Sequence, residues 1–73
     1  MELNEWIDSV GGHAKAAELL GEKPRTVYSW YRLERAPSFL AAVRIYTSSG
    51  RKVDFNGIYM PLLRKLFPEL FGK

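Results

Sequence analysis

The stretch whose reading decides the fold is LLGEKPRTVYSW, Leu19–Trp30. Two short helical patterns meet there across a Gly, two charged residues and a Pro. Upstream, HAKAAELLG puts Ala16, Leu19 and Leu20 on one helical face, among good helix formers. Gly21 suits the left-handed position that closes a helix, because it has no Cβ to crowd the backbone. Pro24 suits the first position of the next helix, where its missing N–H leaves no bond unmade. From there the spacing predicts a helix over 24–34, PRTVYSWYRLE, with Val27, Trp30 and Tyr31 as its inward stripe. Ala36 precedes Pro37 and is disfavoured in the α region, so the pattern breaks at RAP.

Working outward, LNEWIDSV places Leu3, Trp6, Ile7 and Val10 at the spacing of one buried helical stripe, and Gly11-Gly12 stops it. After the break, PSFLAAVRIYT predicts a helix over 37–47 with Phe39, Ala42, Val43 and Tyr46 on one face. SSGRK is a polar turn. VDFNGIYM admits three readings: a short extended piece, a turn at Asn56-Gly57 or an irregular packed loop. Pro61 can open a last short helix, PLLRKLF, that Pro68 limits. There is no internal repeat, low-complexity tract or linker. The expectation is a single all-α domain over 1–73, a compact bundle of about five short helices.

Composition narrows the setting. The chain has 73 residues, of which 47% are hydrophobic and 14% aromatic, enough for a globular core though a small one. It has no cysteine, so neither a disulfide scaffold nor a thiolate metal site can be built. No apolar run reaches the length of a membrane span and no signal-peptide pattern opens the chain. A cytoplasmic location in a bacterial host is expected, away from any membrane. The net charge of +3 is uneven: residues 1–12 hold Glu2, Glu5 and Asp8 with no base, whereas 13–52 hold eight bases against three acids. A basic middle points to a polyanionic partner.

The residues at 17–30 sharpen that. A helix-turn-helix needs a small residue where its helices cross, a Gly in the turn, and apolar residues that pin the second helix down. Ala17, Gly21, Val27 and Trp30 take these places, at spacings of four, six and three that match the DNA-binding motif. If Val27, Trp30 and Tyr31 point inward, Arg25, Tyr28, Ser29 and Arg32 form an outward stripe with no acid in it. Arg pairs bidentately with guanine O6 and N7, Ser reaches a base or a phosphate, and Tyr donates to phosphate or touches a thymine methyl. The residues expected to contact bases are Lys23, Arg25, Tyr28, Ser29 and Arg32. Those expected to contact phosphates are His13, Lys15, Thr26 and Arg35. Arg44, Arg51 and Lys52 either neutralise phosphates or keep the surface solvated.

Residues 12–48 resemble the Cro and lambda-repressor class of phage helix-turn-helix regulators. The motif is HAKAAELLGEKPRTVYSWYR, followed by the AP that often separates a recognition helix from the next one. The pattern is also similar to Cro-like antitoxins of prophages and to lambda-type phage activators, whose P-x-F…LLAV compares with PSFLAAV. The resemblance implies a lambda-repressor-like fold, a double-stranded DNA partner in the form of a palindromic operator, and a homodimer. It covers about half the chain. Two positions depart from the family pattern: Glu22 stands where a small apolar residue is common, and Lys23 where a Ser or Thr cap is common.

Nothing here supports catalysis. There is one His, the acids are scattered, and VGGH lacks the further Gly and Lys of a phosphate loop. No metal site, cofactor or small-molecule ligand is expected. The apolar segment 58–71, with Leu62, Leu63, Leu66, Phe67, Leu70 and Phe71, serves either core completion or dimerisation. The leading expectation is a Cro-type repressor that inserts helix 24–34 into the major groove. The alternatives are a phage transcription activator and a helical protein-interaction module of antitoxin or inhibitor type, whose active surface would be the tail.

Overall fold

The computed structural model describes residues 1–71, and these fold as an all-α bundle. Five helices follow in chain order: α1 (Leu3–Ser9), α2 (His13–Leu20), α3 (Pro24–Tyr31), α4 (Phe39–Ser48) and α5 (Phe55–Leu66), with a 3-10 turn at Pro68–Leu70. No described helix is long and apolar enough to cross a membrane. One continuous core holds Leu3, Trp6 and Ile7 of α1, Ala16, Ala17 and Leu20 of α2, and Val27 and Trp30 of α3. Ala41, Ala42 and Ile45 of α4, Val53, and Ile58 of α5 complete it. Ile7, Val27, Ile45, Val53 and Ile58 are fully buried. Each such side chain contributes about 1.5–3 kcal/mol, which in a chain this short is a large share of the total stability.

The helix starts follow local chemistry. The Ser38 hydroxyl accepts from the Ala41 N–H at 3.2 Å and caps α4. Asp54 Oδ1 accepts from the Gly57 N–H at 2.8 Å and caps α5. None of the three readings of 53–60 holds: Asp54 caps a helix, and 55–60 is the first half of α5. Pro61 therefore lies inside α5 and does not open it, because Asp54 has already started the helix about two turns earlier. Gly57 is required by a close approach: a Cβ there would overlap the carbonyl of Met1, which lies across the helix.

The ends of α1, α2, α3 and α4 share one pattern. At α2, the Glu22 N–H donates to the Ala17 carbonyl at 2.9 Å and the Gly21 N–H to that of Glu18 at 3.4 Å, around Gly21 at φ +70°. This is a Schellman closure. It recurs after α1 around Gly11 and after α4 around Gly50. It also ends α3, where the residue at φ +60° is Leu33: Glu34 N–H donates to the Ser29 carbonyl at 2.9 Å and Leu33 N–H to that of Trp30 at 3.0 Å. The helix expected over 24–34 thus stops at Tyr31, since this closure reverses the chain before Ala36-Pro37 can do so.

Two apolar positions, Leu19 and Phe39, face differently from expectation. Leu19 is exposed, and α2 buries Ala16, Ala17 and Leu20 instead. Phe39 is 72% exposed, and α4 buries Ala41, Ala42 and Ile45. FLAAVRIY is apolar almost all round, so periodicity fits more than one face. The core takes the face with two alanines because α4 packs against the alanine face of α2, where small side chains let the backbones approach. In the tail, Ile58 and Leu62 complete the core, while Leu66, Phe67, Leu70 and Phe71 remain exposed.

Candidate nucleic-acid interface

The turn between α2 and α3 is only Gly21–Lys23. Lys23 is extended, at φ −79° and ψ 141°, and its carbonyl accepts the first bond of α3 from the Val27 N–H at 3.2 Å. It caps the helix by backbone geometry alone, and Pro24 follows with φ already set. Glu22, the neighbouring turn residue, is held by an ion pair. Its carboxylate pairs with Arg44 of α4 at 3.6 Å. Arg44 is thereby engaged in holding the turn against α4.

Val27 and Trp30 of α3 are buried, so the opposite side of this helix faces out. Two clusters form there. In the first, the rings of His13 and Tyr28 lie 4.6 Å apart, and the Arg32 guanidinium lies 5.7 Å from the centre of the Tyr28 ring. The Glu34 carboxylate accepts from Arg32 Nε at 3.1 Å. The Tyr28 hydroxyl first, and then Glu34, raise the Arg32 pKa further above its ordinary value, so its charge is permanent. In the second cluster, Arg25, Thr26, Ser29 and Arg35 line a depression of about 340 Å³. Each cluster thus brings residues expected to reach bases beside residues expected to reach phosphates.

Individual side chains have different freedom. Lys23, Arg25 and Arg35 are exposed and form no ion pair among the described residues. Lys15 pairs with Glu18 at 3.3 Å across one turn of α2, an exposed pair that a phosphate can displace at little cost. Ser29 is half-buried and its hydroxyl donates to the Thr26 carbonyl at 2.6 Å, so its lone pairs alone are free for a partner. Arg32 stands at the C-cap of α3, beyond its last full turn.

Other elements hold this helix, through side chains that the sequence pattern did not single out. Asn4 Nδ2 of α1 donates to the Tyr31 carbonyl at 2.9 Å. The Tyr31 hydroxyl donates to Asp8 Oδ1 at 2.9 Å, and that hydrogen bond chiefly raises the Tyr31 pKa above its ordinary value. Lys65 Nζ of α5 donates to the carbonyls of Arg32 at 3.2 Å and Leu33 at 3.1 Å. No sequence signal marks these contacts, because they join positions up to 33 residues apart.

A groove of about 350 Å³ runs between the end of α3 and α5. Leu33, Ala36, Tyr59, Met60, Leu63 and Phe67 form its apolar wall. Comparison with protein-family models, with curated proteins and with solved structures gave no match for this chain.

Proposed function

We propose that the protein is a sequence-specific DNA-binding transcription regulator, a Cro-type repressor that reads the major groove with α3. One observation carries this. The helix that buries Val27 and Trp30 turns Arg25, Tyr28 and Arg32 outward, with Lys23, Arg35 and His13 around them. An eight-residue helix spans about 12 Å and its girth fits the B-DNA major groove. In this reading the exposed Arg25 takes guanine O6 and N7 from the first turn of the helix. Tyr28 offers its hydroxyl and ring edge. Ser29, whose proton is already committed, accepts from a base amino group. Lys15, Thr26, Arg35 and His13 hold phosphates and set the register without reading sequence. Bound at an operator, the protein excludes polymerase.

The exposed Leu66, Phe67, Leu70 and Phe71 favour a homodimer, which would present two copies of α3 to a palindrome. The same residues favour the second reading, a protein-interaction module whose active surface is this apolar end. Selection from a random double-stranded DNA library separates the two. Enrichment of a palindrome, with affinity falling steeply as salt rises, is the expected result. Recovery of no preferred sequence at low salt would reject the regulator reading in favour of the second.

A further inference from the structure

Three observations converge on the end of α3. Leu33 stands at φ +60°, in the position that Gly11, Gly21 and Gly50 fill at the other Schellman ends. A Leu there is strained, because its Cβ crowds the following carbonyl, and such a conformation persists only when its surroundings over-determine it. Lys65 of α5 supplies that determination: its ammonium donates to both carbonyls at the turn, those of Arg32 and Leu33, at the negative end of the helix. The residues on either side of Leu33 are Arg32 and Glu34, which pair with each other while Arg32 lies over Tyr28. If φ at Leu33 returned to its ordinary range, the chain at Glu34 would swing away from Arg32.

We infer that Lys65 and Leu33 are positioning residues for the reading face: Lys65 holds the left-handed turn at Leu33, and the turn fixes the Arg32 guanidinium against Tyr28. The Leu33 side chain is half-buried and contributes to the apolar groove with Tyr59 and Leu63 of α5. A Gly would make the turn unaided but would leave that wall incomplete. The role of Arg32 in this inference rests on the DNA-reading function proposed above, whereas the clamp itself can be measured without DNA.

The test compares Lys65→Met, Lys65→Arg, Leu33→Gly and the double variant Lys65→Met/Leu33→Gly. Hydrogen exchange at the Glu34 amide, which donates to Ser29, reports the closure directly. Lys65→Met should speed exchange at Glu34 about tenfold and leave the Trp30 amide, inside α3, unchanged. Lys65→Arg should retain protection, and the double variant should regain it, because Gly keeps φ +60° without support. On the DNA enriched by the wild type, Lys65→Met should lose about fivefold or more of the preference at the base pair that Arg32→Ala also relaxes. The preference dependent on Arg25 should survive, and the double variant should restore the lost one.

Unchanged Glu34 exchange in Lys65→Met, or a double variant as unprotected as the single one, overturns the clamp. A uniform rise in exchange over all amides also overturns it, since that marks a general stability role. Glu34 exchange that responds as expected while base preference stays fixed overturns the positioning role. A wild type that enriches no sequence rejects the DNA-reading function, and the positioning role with it, while exchange still decides the clamp.

Discussion

The ends of α2 and α3 are built on the same hydrogen-bond pattern and differ in one residue. Gly21 closes α2 at φ +70°, with no neighbour near the place a Cβ would occupy. Leu33 closes α3 at φ +60°, with Lys65 on its carbonyl and its side chain in the groove beside α5. The first end is self-sufficient, because glycine adopts the left-handed region freely. The second depends on partners elsewhere in the chain. The difference teaches where local sequence suffices and where a turn must be held from outside. At its own start α3 needs only a cheap reversal and a Pro, whereas at its finish it is coupled to α1 and α5.

Four substitutions break or sharpen that comparison. The largest effect should come from removing what both ends rely on, the burial of α3. Trp30→Ala should cost about 3–5 kcal/mol. That is comparable with the whole stability of a domain this small, so loss of helical circular dichroism near room temperature is expected. Next, Arg25→Ala, at the start of α3, should lower affinity for a selected operator by about 1–3 kcal/mol and relax one base pair. Equal binding by the variant and the wild type would remove Arg25 from the proposed reading face.

Gly21→Leu makes the α2 end resemble the α3 end without giving it a lysine. It should cost about 1–2 kcal/mol, which in a domain of this size lowers Tm by about 4–8 °C for each kcal/mol. No fall in Tm would show that a left-handed Leu needs no outside support here. The smallest effect concerns the bond between α1 and the last residue of α3. The Asp8 carboxylate accepts the Tyr31 O–H and so favours the neutral phenol, raising its pKa in the folded state above the ordinary 10.0. The stability this bond contributes is therefore present below about pH 10 and is lost as pH rises through the raised value. Urea midpoints for the wild type and Tyr31→Phe should differ at neutral pH and converge above that range.

Much of the fold was legible. The Gly21–Pro24 turn, the inward Val27 and Trp30, and the α1 stripe of Leu3, Trp6 and Ile7 each combine a periodicity with a punctuating Gly or Pro. Local rules fix such elements whatever packs on them. The α4 face was not legible, because a helix apolar on several sides offers several stripes. Nor is the start of α5 legible from its Asp54 cap, because Pro61 is by local rules an equally good helix start. The candidate site was legible in its residue types and less so in their freedom. Sequence cannot show that Ser29 turns its proton onto Thr26, or that Glu34 folds back onto Arg32.

The sequence by itself determined an all-α chain, the tight turn into α3, and the basic, acid-poor stripe on that helix's outer side. These depend on contacts within four or five residues, which spacing records directly. Only the tertiary structure decided where α3 ends, which face of α4 is buried, and that Glu22 pairs with Arg44. It alone brought Lys65 to the carbonyls of Arg32 and Leu33. The physical reason is common to all of these: each balances local strain or local ambiguity against a partner distant in the chain, and that partner is present only once the helices have packed.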